Sequence, residues 1–307
     1  MTDAMTKPAA SPGPQSADAP LIQVRDLHRV YTRSRTSLLK PPGQVHALRG
    51  VSFDIRKGER FGIVGESGSG KSTLLRLLCG LDTATSGSIR FGGQEIVGKS
   101  ERQLKFLRKE LQLVFQDPMS ALDPRMRVRD IVREPLLGQR HPDPVGRVKE
   151  LLTAVGLPPD AGDRFPHQFS GGQRQRISIA RALAPQPSVL VADEPVSALD
   201  VSVRAQILNV LADLVDEFAL TLVFVSHDLS VVRHVCDTIA VMHNGQLVEV
   251  GPTEQVHNAS EHPYTRRLVA AIPTIRRALA GVGAADLARG MVDAGHDPTD
   301  TDRDEVA

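Results

Sequence analysis

The run Gly65-Glu66-Ser67-Gly68-Ser69-Gly70-Lys71-Ser72-Thr73 constrains this chain more than any other feature, because it fits the pattern G-x-x-x-x-G-K-[ST]. Its flanks suit that pattern. Phe61-Gly62-Ile63-Val64 reads as a short buried strand entering the run. Leu74, Leu75, Leu77 and Leu78 carry a helical apolar face leaving it, stopped by Gly80. In such a loop the glycines let backbone N–H groups turn inward around phosphate oxygens, and the helix N-terminus adds positive potential. Gly65, Ser67, Gly68, Gly70 and Thr73 then shape the cradle, Lys71 reaches the β/γ-phosphates and the Ser72 hydroxyl ligates Mg²⁺. A glycine-rich turn alone does not explain the strand and helix on either side. The segment predicts a nucleoside triphosphate as ligand.

At 307 residues the chain can bury one large domain or two small ones. Its formal net charge of +1 comes without a basic block, which argues against nucleic acid as a partner. No apolar run reaches the roughly 18 residues that span a bilayer, and the start of the chain lacks the apolar core of a signal peptide. Cys79 and Cys236 sit in apolar helical patterns at unrelated positions and are expected to be buried free thiols. Together these features predict a soluble, intracellular protein.

Residues 1–20, with their prolines and few apolar groups, are expected to be a disordered leader. Leu21–Val24 and Val51–Ile55 read as strands separated by an insertion from Thr32 to Gln44. Gly87–Phe91 followed by Gly92-Gly93 predicts a strand entering a hairpin. Ser100 with Gln103 matches a capping box and predicts a helix through Glu110. Leu111–Phe115 returns to strand, and two helical stretches follow between Val128 and Leu157. Val189–Ala192 and Thr221–Val225 are continuous apolar strands between helices, the pattern of a parallel sheet covered on both faces. Asp200 is placed to cap the long helix between them, and Asn244-Gly245 marks a hairpin.

The second decisive segment is Phe169-Ser170-Gly171-Gly172-Gln173-Arg174-Gln175-Arg176, opening a helix through Leu183. A serine and two glycines at a helix start form a second anion site. With the phosphate loop, this segment resembles the signature motif of ATP-binding-cassette (ABC) ATPases, with Phe in place of the commoner Leu at its first position. The resemblance covers about Leu21 to Pro273 and extends to the other motifs in order. It implies that Ser170, Gly171, Gly172 and Gln173 dock on the ATP held by a partner cassette. Asp193, at the end of an apolar strand, would hold Mg²⁺, and Glu194 resembles the general base that polarises water. Gln116 resembles the glutamine that touches Mg²⁺ and water, and His227 the histidine that contacts the γ-phosphate. Asp200 resembles the D-loop aspartate at the dimer contact, and Tyr31 the aromatic that stacks on adenine. Lys71, Glu194 and His227 are thus the expected catalytic groups, with ATP and Mg²⁺ as cofactors.

Three further segments are similar to the oligopeptide/dipeptide importer branch: Gln116–Met126, Glu194–Ser202, and Glu261-His262-Pro263-Tyr264-Thr265-Arg266-Arg267-Leu268 with Ala271-Ile272-Pro273. The insertion before Val45-His46-Ala47-Leu48 resembles the second, F-type, ATPase of such systems. No cysteine follows Cys236, so the metal cluster of many relatives is not carried over. The resemblance implies an α/β P-loop NTPase core with a mostly parallel sheet, an N-terminal antiparallel β-subdomain and an inserted α-helical subdomain. The cassette is expected over 21–256, its helical subdomain over about 99–166, and a C-terminal extension over 257–307. It further implies a peripheral ATPase on the cytoplasmic face of the membrane. Its expected partners are a second cassette, identical or paralogous, two transmembrane permease subunits and, indirectly, an extracellular solute-binding protein. A permease helix would dock near Met119, Leu122 and Met126. The alternative is a non-transport cassette of a soluble complex such as phosphonate degradation, which the His262-Pro263-Tyr264 segment disfavours.

Overall fold

The structure, a computed structural model, describes residues 19–32, 43–138 and 141–272. Most of the expected leader, the insertion after Thr32 and the end of the extension lie outside the described residues. The chain opens with β1 (Ile22–Thr32), β2 (Gln44–Ile55) and β3 (Arg60–Val64), then helix α1 (Lys71–Leu78), β4 (Ser86–Phe91) and β5 (Gln94–Glu95). Among the described residues, β2, β1, β4 and β5 form in that order a four-stranded antiparallel sheet. Helix α2 (Lys105–Glu110) leads to β6 (Leu111–Val114) and a helical stretch of α3 (Pro118–Ala121), α4 (Val128–Arg133), α5 (Pro144–Ala154) and α6 (Gly171–Leu183). There follow β7 (Val189–Asp193), α7 (Val201–Glu217), β8 (Thr221–Ser226), α8 (Leu229–Val235), β9 (Thr238–His243) and β10 (Gln246–Pro252). Two short helices, α9 (Thr253–Asn258) and α10 (Pro263–Ala271), close the described chain. The second sheet runs β10-β9-β3-β8-β7-β6 and is parallel except at the β9–β10 hairpin.

The continuous apolar strands have a plain physical cause. Successive side chains of a strand point to opposite faces, so a strand buried on both faces must be apolar throughout. In β8, Leu222 and Phe224 enter one core while Val223 and Val225 enter the other. In β7, Leu190 and Ala192 divide from Val189 and Val191 in the same way. The first core joins the sheet to the helical stretch, and the second holds α1 between the two sheets. Cys79 and Cys236 are buried free thiols, as expected, and burial pushes the Cys79 thiol up to about 12.

One local expectation is corrected. The helix expected from Ser100 begins only at Lys105, after turns. Half of the box forms, the Gln103 side chain accepting from the Ser100 amide at 3.0 Å, but the Gln103 amide donates to the Ser100 carbonyl (2.9 Å) and not to its hydroxyl. The Ser100 hydroxyl donates instead to the Gln103 side-chain oxygen at 3.0 Å.

Candidate active site

Because β3, β6, β7 and β8 are parallel, the segments that leave them collect at one edge of the sheet, where α/β folds place ligands. The loop after β3 is shaped by close approach. A Cβ at Gly65 would lie 2.3 Å from the Met242 carbonyl oxygen, and one at Gly70 would lie 2.6 Å from that of Ala47. Gly70 also has φ +107°, a conformation open to glycine and strained for other residues. The β9–β10 turn holds the loop from outside, with the Gly245 amide donating to the Ser69 carbonyl at 2.9 Å. Lys71 is 5% exposed, and its ammonium donates to the carbonyls of Gly65 (2.7 Å) and Glu66 (2.9 Å). Burial pushes its pKa down, against the opposing charges of Glu194, Asp193 and Glu66.

Across the cavity, Asp193 ends β7 and Glu194 turns the chain with φ +44°. A non-glycine residue there costs roughly 1–3 kcal/mol, strain that must be held by its surroundings. The Glu194 amide donates to the Val225 carbonyl (2.9 Å), and the Ser197 hydroxyl donates to the Glu194 carbonyl (3.1 Å). The Glu194 carboxylate then lies 3.1 Å from His227 Nδ1 and 3.5 Å from the Gln116 amide nitrogen. An Nδ1–H given to Glu194 leaves His227 Nε2 for a second partner.

Asp193 is raised by burial first and by the neighbouring Glu194 charge second, with Lys71 and Arg76 opposing. Among the described residues no group of three or more His, Cys, Asp or Glu could hold a metal alone. The hard oxygen donors on hand are the Ser72 hydroxyl and the Gln116 amide oxygen, both of residues lining the cavity, and the Asp193 carboxylate, which feels the Lys71 charge. They fit Mg²⁺, which prefers oxygen and shares its shell with phosphates and water. A cation there would also offset the carboxylate charge that burial disfavours at Asp193.

Ser67, Gly68, Gly70, Lys71, Ser72, Thr73, Gln116, Glu194 and His227 line one open cavity of about 1080 Å³. That is ample for a nucleoside triphosphate. Glu66 of the same loop also lines the cavity, and Val45, His46, Ala47, Arg49, Asn244 and Gly245 complete the wall, brought there by the pairing of strands far apart in sequence. Gly65 and Asp193 are not among the lining residues. Tyr31 is not among the lining residues; it pairs in register with Val45. Its hydroxyl donates to Asp82 at 2.7 Å and its ring carries the Arg29 guanidinium at 4.3 Å. Burial opposes the Asp82 charge, but hydrogen bonds from Tyr31, Thr83 and Arg29 hold its carboxyl below the usual range.

The residues Ser170–Gln173 also stand outside the cavity lining. Ser170 caps α6, its Oγ accepting from the Gln173 amide (3.3 Å) while the Gln173 side chain accepts from the Ser170 amide (3.0 Å). A Cβ at Gly172 would lie 2.4 Å from Val203 Cγ1, so glycine there lets α6 pack on α7. Asp200 occupies the cap position of α7, but among the described residues its side chain makes no cap hydrogen bond. Of the expected docking set, Leu122 is buried at 1% exposure, whereas Met119 is 39% exposed. Met126 instead lines a second groove with Arg125, Arg127, Leu137 and Phe165.

An ABC transporter domain family matches residues 48–197. The chain is 48% identical over 258 residues to the di/tripeptide transport ATP-binding protein DppF of Pseudomonas aeruginosa (strain UCBPP-PA14), covering 83% of this chain and 80% of that one. It is 45% identical over 265 residues to the oligopeptide transport ATP-binding protein AppF of Bacillus subtilis (strain 168), covering 84% and 79%. The chain belongs to the ABC transporter ATP-binding family. The glutathione import ATP-binding protein GsiA of Shigella dysenteriae is 48% identical over 83% of this cassette, which spans 41% of that longer protein. Two solved structures share the fold. One is a dimeric post-hydrolysis ATP-binding cassette bound to ADP and Pi, with TM-score 0.67 and 30% identity, covering 76% of this chain and 98% of that one. The other is a Clostridium perfringens subunit of the ABC transporter complex cbiONQ, with TM-score 0.69 and 29% identity, covering 79% and 92%. The cassette is therefore a nucleotide-binding ATPase of a family that works in dimers with transmembrane components. Among the described residues no helix is long and apolar enough to cross a membrane.

Proposed function

We propose that this cassette, over 21–256, hydrolyses ATP at the cytoplasmic face of a membrane to drive import of di- and oligopeptides. The observation that carries the reading is the division of its motifs. Lys71, Ser72, Gln116, Glu194 and His227 converge on one cavity, while Ser170–Gln173 stand outside it. One chain therefore offers half of each of two shared sites, and a second cassette, identical or paralogous, supplies the other half. The substrate class follows the two transport relatives matched along most of their length.

In this reading Lys71 and the loop amides hold the β- and γ-phosphates. Ser72, Asp193 and Gln116 would hold Mg²⁺, which would offset charge on the phosphate oxygens. Glu194 accepts a proton as a water oxygen bonds to the γ-phosphorus, and the bond to the bridging oxygen breaks to leave ADP. His227, paired with Glu194 through Nδ1, orients the carboxylate and uses its other nitrogen on the γ-phosphate. The partner's Ser170 and the amides at the start of the partner's α6 close over the same phosphate.

The two permease subunits are expected on the groove lined by Met126, Leu137 and Phe165, with a solute-binding protein delivering peptide from outside. Leu137 is 71% exposed, so a charge there costs the core nothing. Leu137→Glu is expected to keep ATP turnover of the purified chain within about twofold. In cells lacking the native gene it should lower uptake of labelled di- and oligopeptides by roughly tenfold or more, the scale of an interface hot spot. Uptake equal to wild type would overturn the docking groove. Failure of the wild-type gene to restore peptide uptake would overturn the substrate class.

A further inference from the structure

The His262-Pro263-Tyr264 segment, which the catalytic account leaves without a role, reaches the phosphate loop. Tyr264 is 3% exposed on α10, and its phenol oxygen accepts from the Glu66 amide at 3.1 Å. Its ring lies 4.0 Å from the His243 imidazole with the planes 30° apart. His243 ends β9 immediately before the Asn244-Gly245 turn that grips Ser69. The start of α10 is itself fixed. The Glu249 carboxylate accepts from the amides of Glu261 (2.9 Å) and His262 (3.2 Å), and His262 Nδ1 accepts from the Tyr264 amide at 3.2 Å. Burial pushes the Tyr264 phenol up, so the group stays neutral.

The Glu66 N–H and the Gly65 C=O belong to one peptide plane, and in a trans peptide they point in opposite directions. One edge of this plane is held by Tyr264, and the other, the Gly65 carbonyl, accepts from Lys71 Nζ at 2.7 Å. Fixing the N–H therefore fixes the aim of the carbonyl that holds the lysine. We propose that Tyr264 is a positioning residue for Lys71, acting through the Gly65–Glu66 peptide, so that the C-terminal segment is a working part of the nucleotide site. The proposal rests on Lys71 being the phosphate-binding lysine. Tyr264 touches no reacting atom; it sets the conformation in which the loop waits for phosphate, and a pre-set loop binds nucleotide at lower entropic cost.

The test uses the full-length chain, Mg²⁺ and a fluorescent ADP analogue. Tyr264→Phe keeps the ring against His243 and removes only the oxygen. Its dissociation constant is expected to rise about 3–10-fold, the scale of one net hydrogen bond. Its nucleotide-free unfolding midpoint should stay within about 2 °C of wild type. The deciding comparison is a double-mutant cycle, since residues that act through one another are not additive. In a Lys71→Ala background, Tyr264→Phe should weaken binding no further. Unchanged affinity in the single variant, or equal weakening in both backgrounds, would overturn the proposal. Absence of ADP binding by the wild-type chain would instead overturn the assignment of the site.

Discussion

Glu194→Gln is expected to lower ATP turnover by about 10²–10⁴-fold, the usual scale for a positioned general base. The replacement is nearly isosteric, so the loss should come without unfolding. The left-handed backbone at Glu194 is held by the Val225 carbonyl and the Ser197 hydroxyl, neither of which the side chain supplies. What changes is the group facing His227 and Gln116, which can no longer take a proton from water. ATP should still bind, because the phosphate loop is untouched. With hydrolysis blocked, two cassettes should remain closed around their nucleotides. The expected result is a dimer that persists in ATP and falls apart in ADP, measured by size-exclusion chromatography with light scattering. Turnover within a fewfold of wild type would remove Glu194 from the role of base.

Lys71→Ala is expected to weaken ATP binding by roughly 10–100-fold, since it deletes charge-assisted hydrogen bonds to phosphate. Stability should change much less. The ammonium is 5% exposed, and burial already pushes its pKa down, so removing the charge also removes a desolvation cost. Opposing this, the carbonyls of Gly65 and Glu66 lose their donor. Nucleotide titration and thermal unfolding of the same sample separate the two effects. A variant that binds ATP as wild type does would show that Lys71 serves only to tie the loop together.

Much of this architecture was legible because the residues that carry it answer to local rules. Strands such as β7 and β8 must be apolar on both faces, and they read as unbroken apolar runs. Gly65 and Gly70 are required by backbone contacts that admit no Cβ, and their spacing survives in the sequence as a motif. What was not legible depends on register and long-range contact. Val45, His46 and Asn244 reach the cavity because β1 pairs with β2 and β9 with β10; the Asn244-Gly245 turn is legible as a hairpin, but nothing local says that it borders the phosphate loop. The Tyr264–Glu66 hydrogen bond spans 198 positions. The hydrogen bond from the Tyr31 hydroxyl to Asp82 joins residues 51 positions apart and leaves no local trace. Leu122 is expected beside Met119 and Met126 on a docking face, yet the core of the helical region takes it. The Ser100 box satisfied the sequence pattern, yet a backbone hydrogen bond claimed the amide that a cap would need.

The shared site is the central claim, and Ser170→Arg tests it most directly. Ser170 is exposed at the start of α6 and outside the cavity of its own chain, so a bulky cation there should not disturb that chain's nucleotide. It would instead meet the partner's phosphate loop in the closed dimer. The measurement is ATP affinity by titration, at a concentration where the chain is monomeric, alongside turnover in the assembled complex. The expected result is affinity within about twofold of wild type, where Lys71→Ala is weakened by roughly 10–100-fold, together with loss of hydrolysis. Loss of monomer affinity as large as that of the Lys71 variant, or hydrolysis at the wild-type rate, would contradict a site built from two chains.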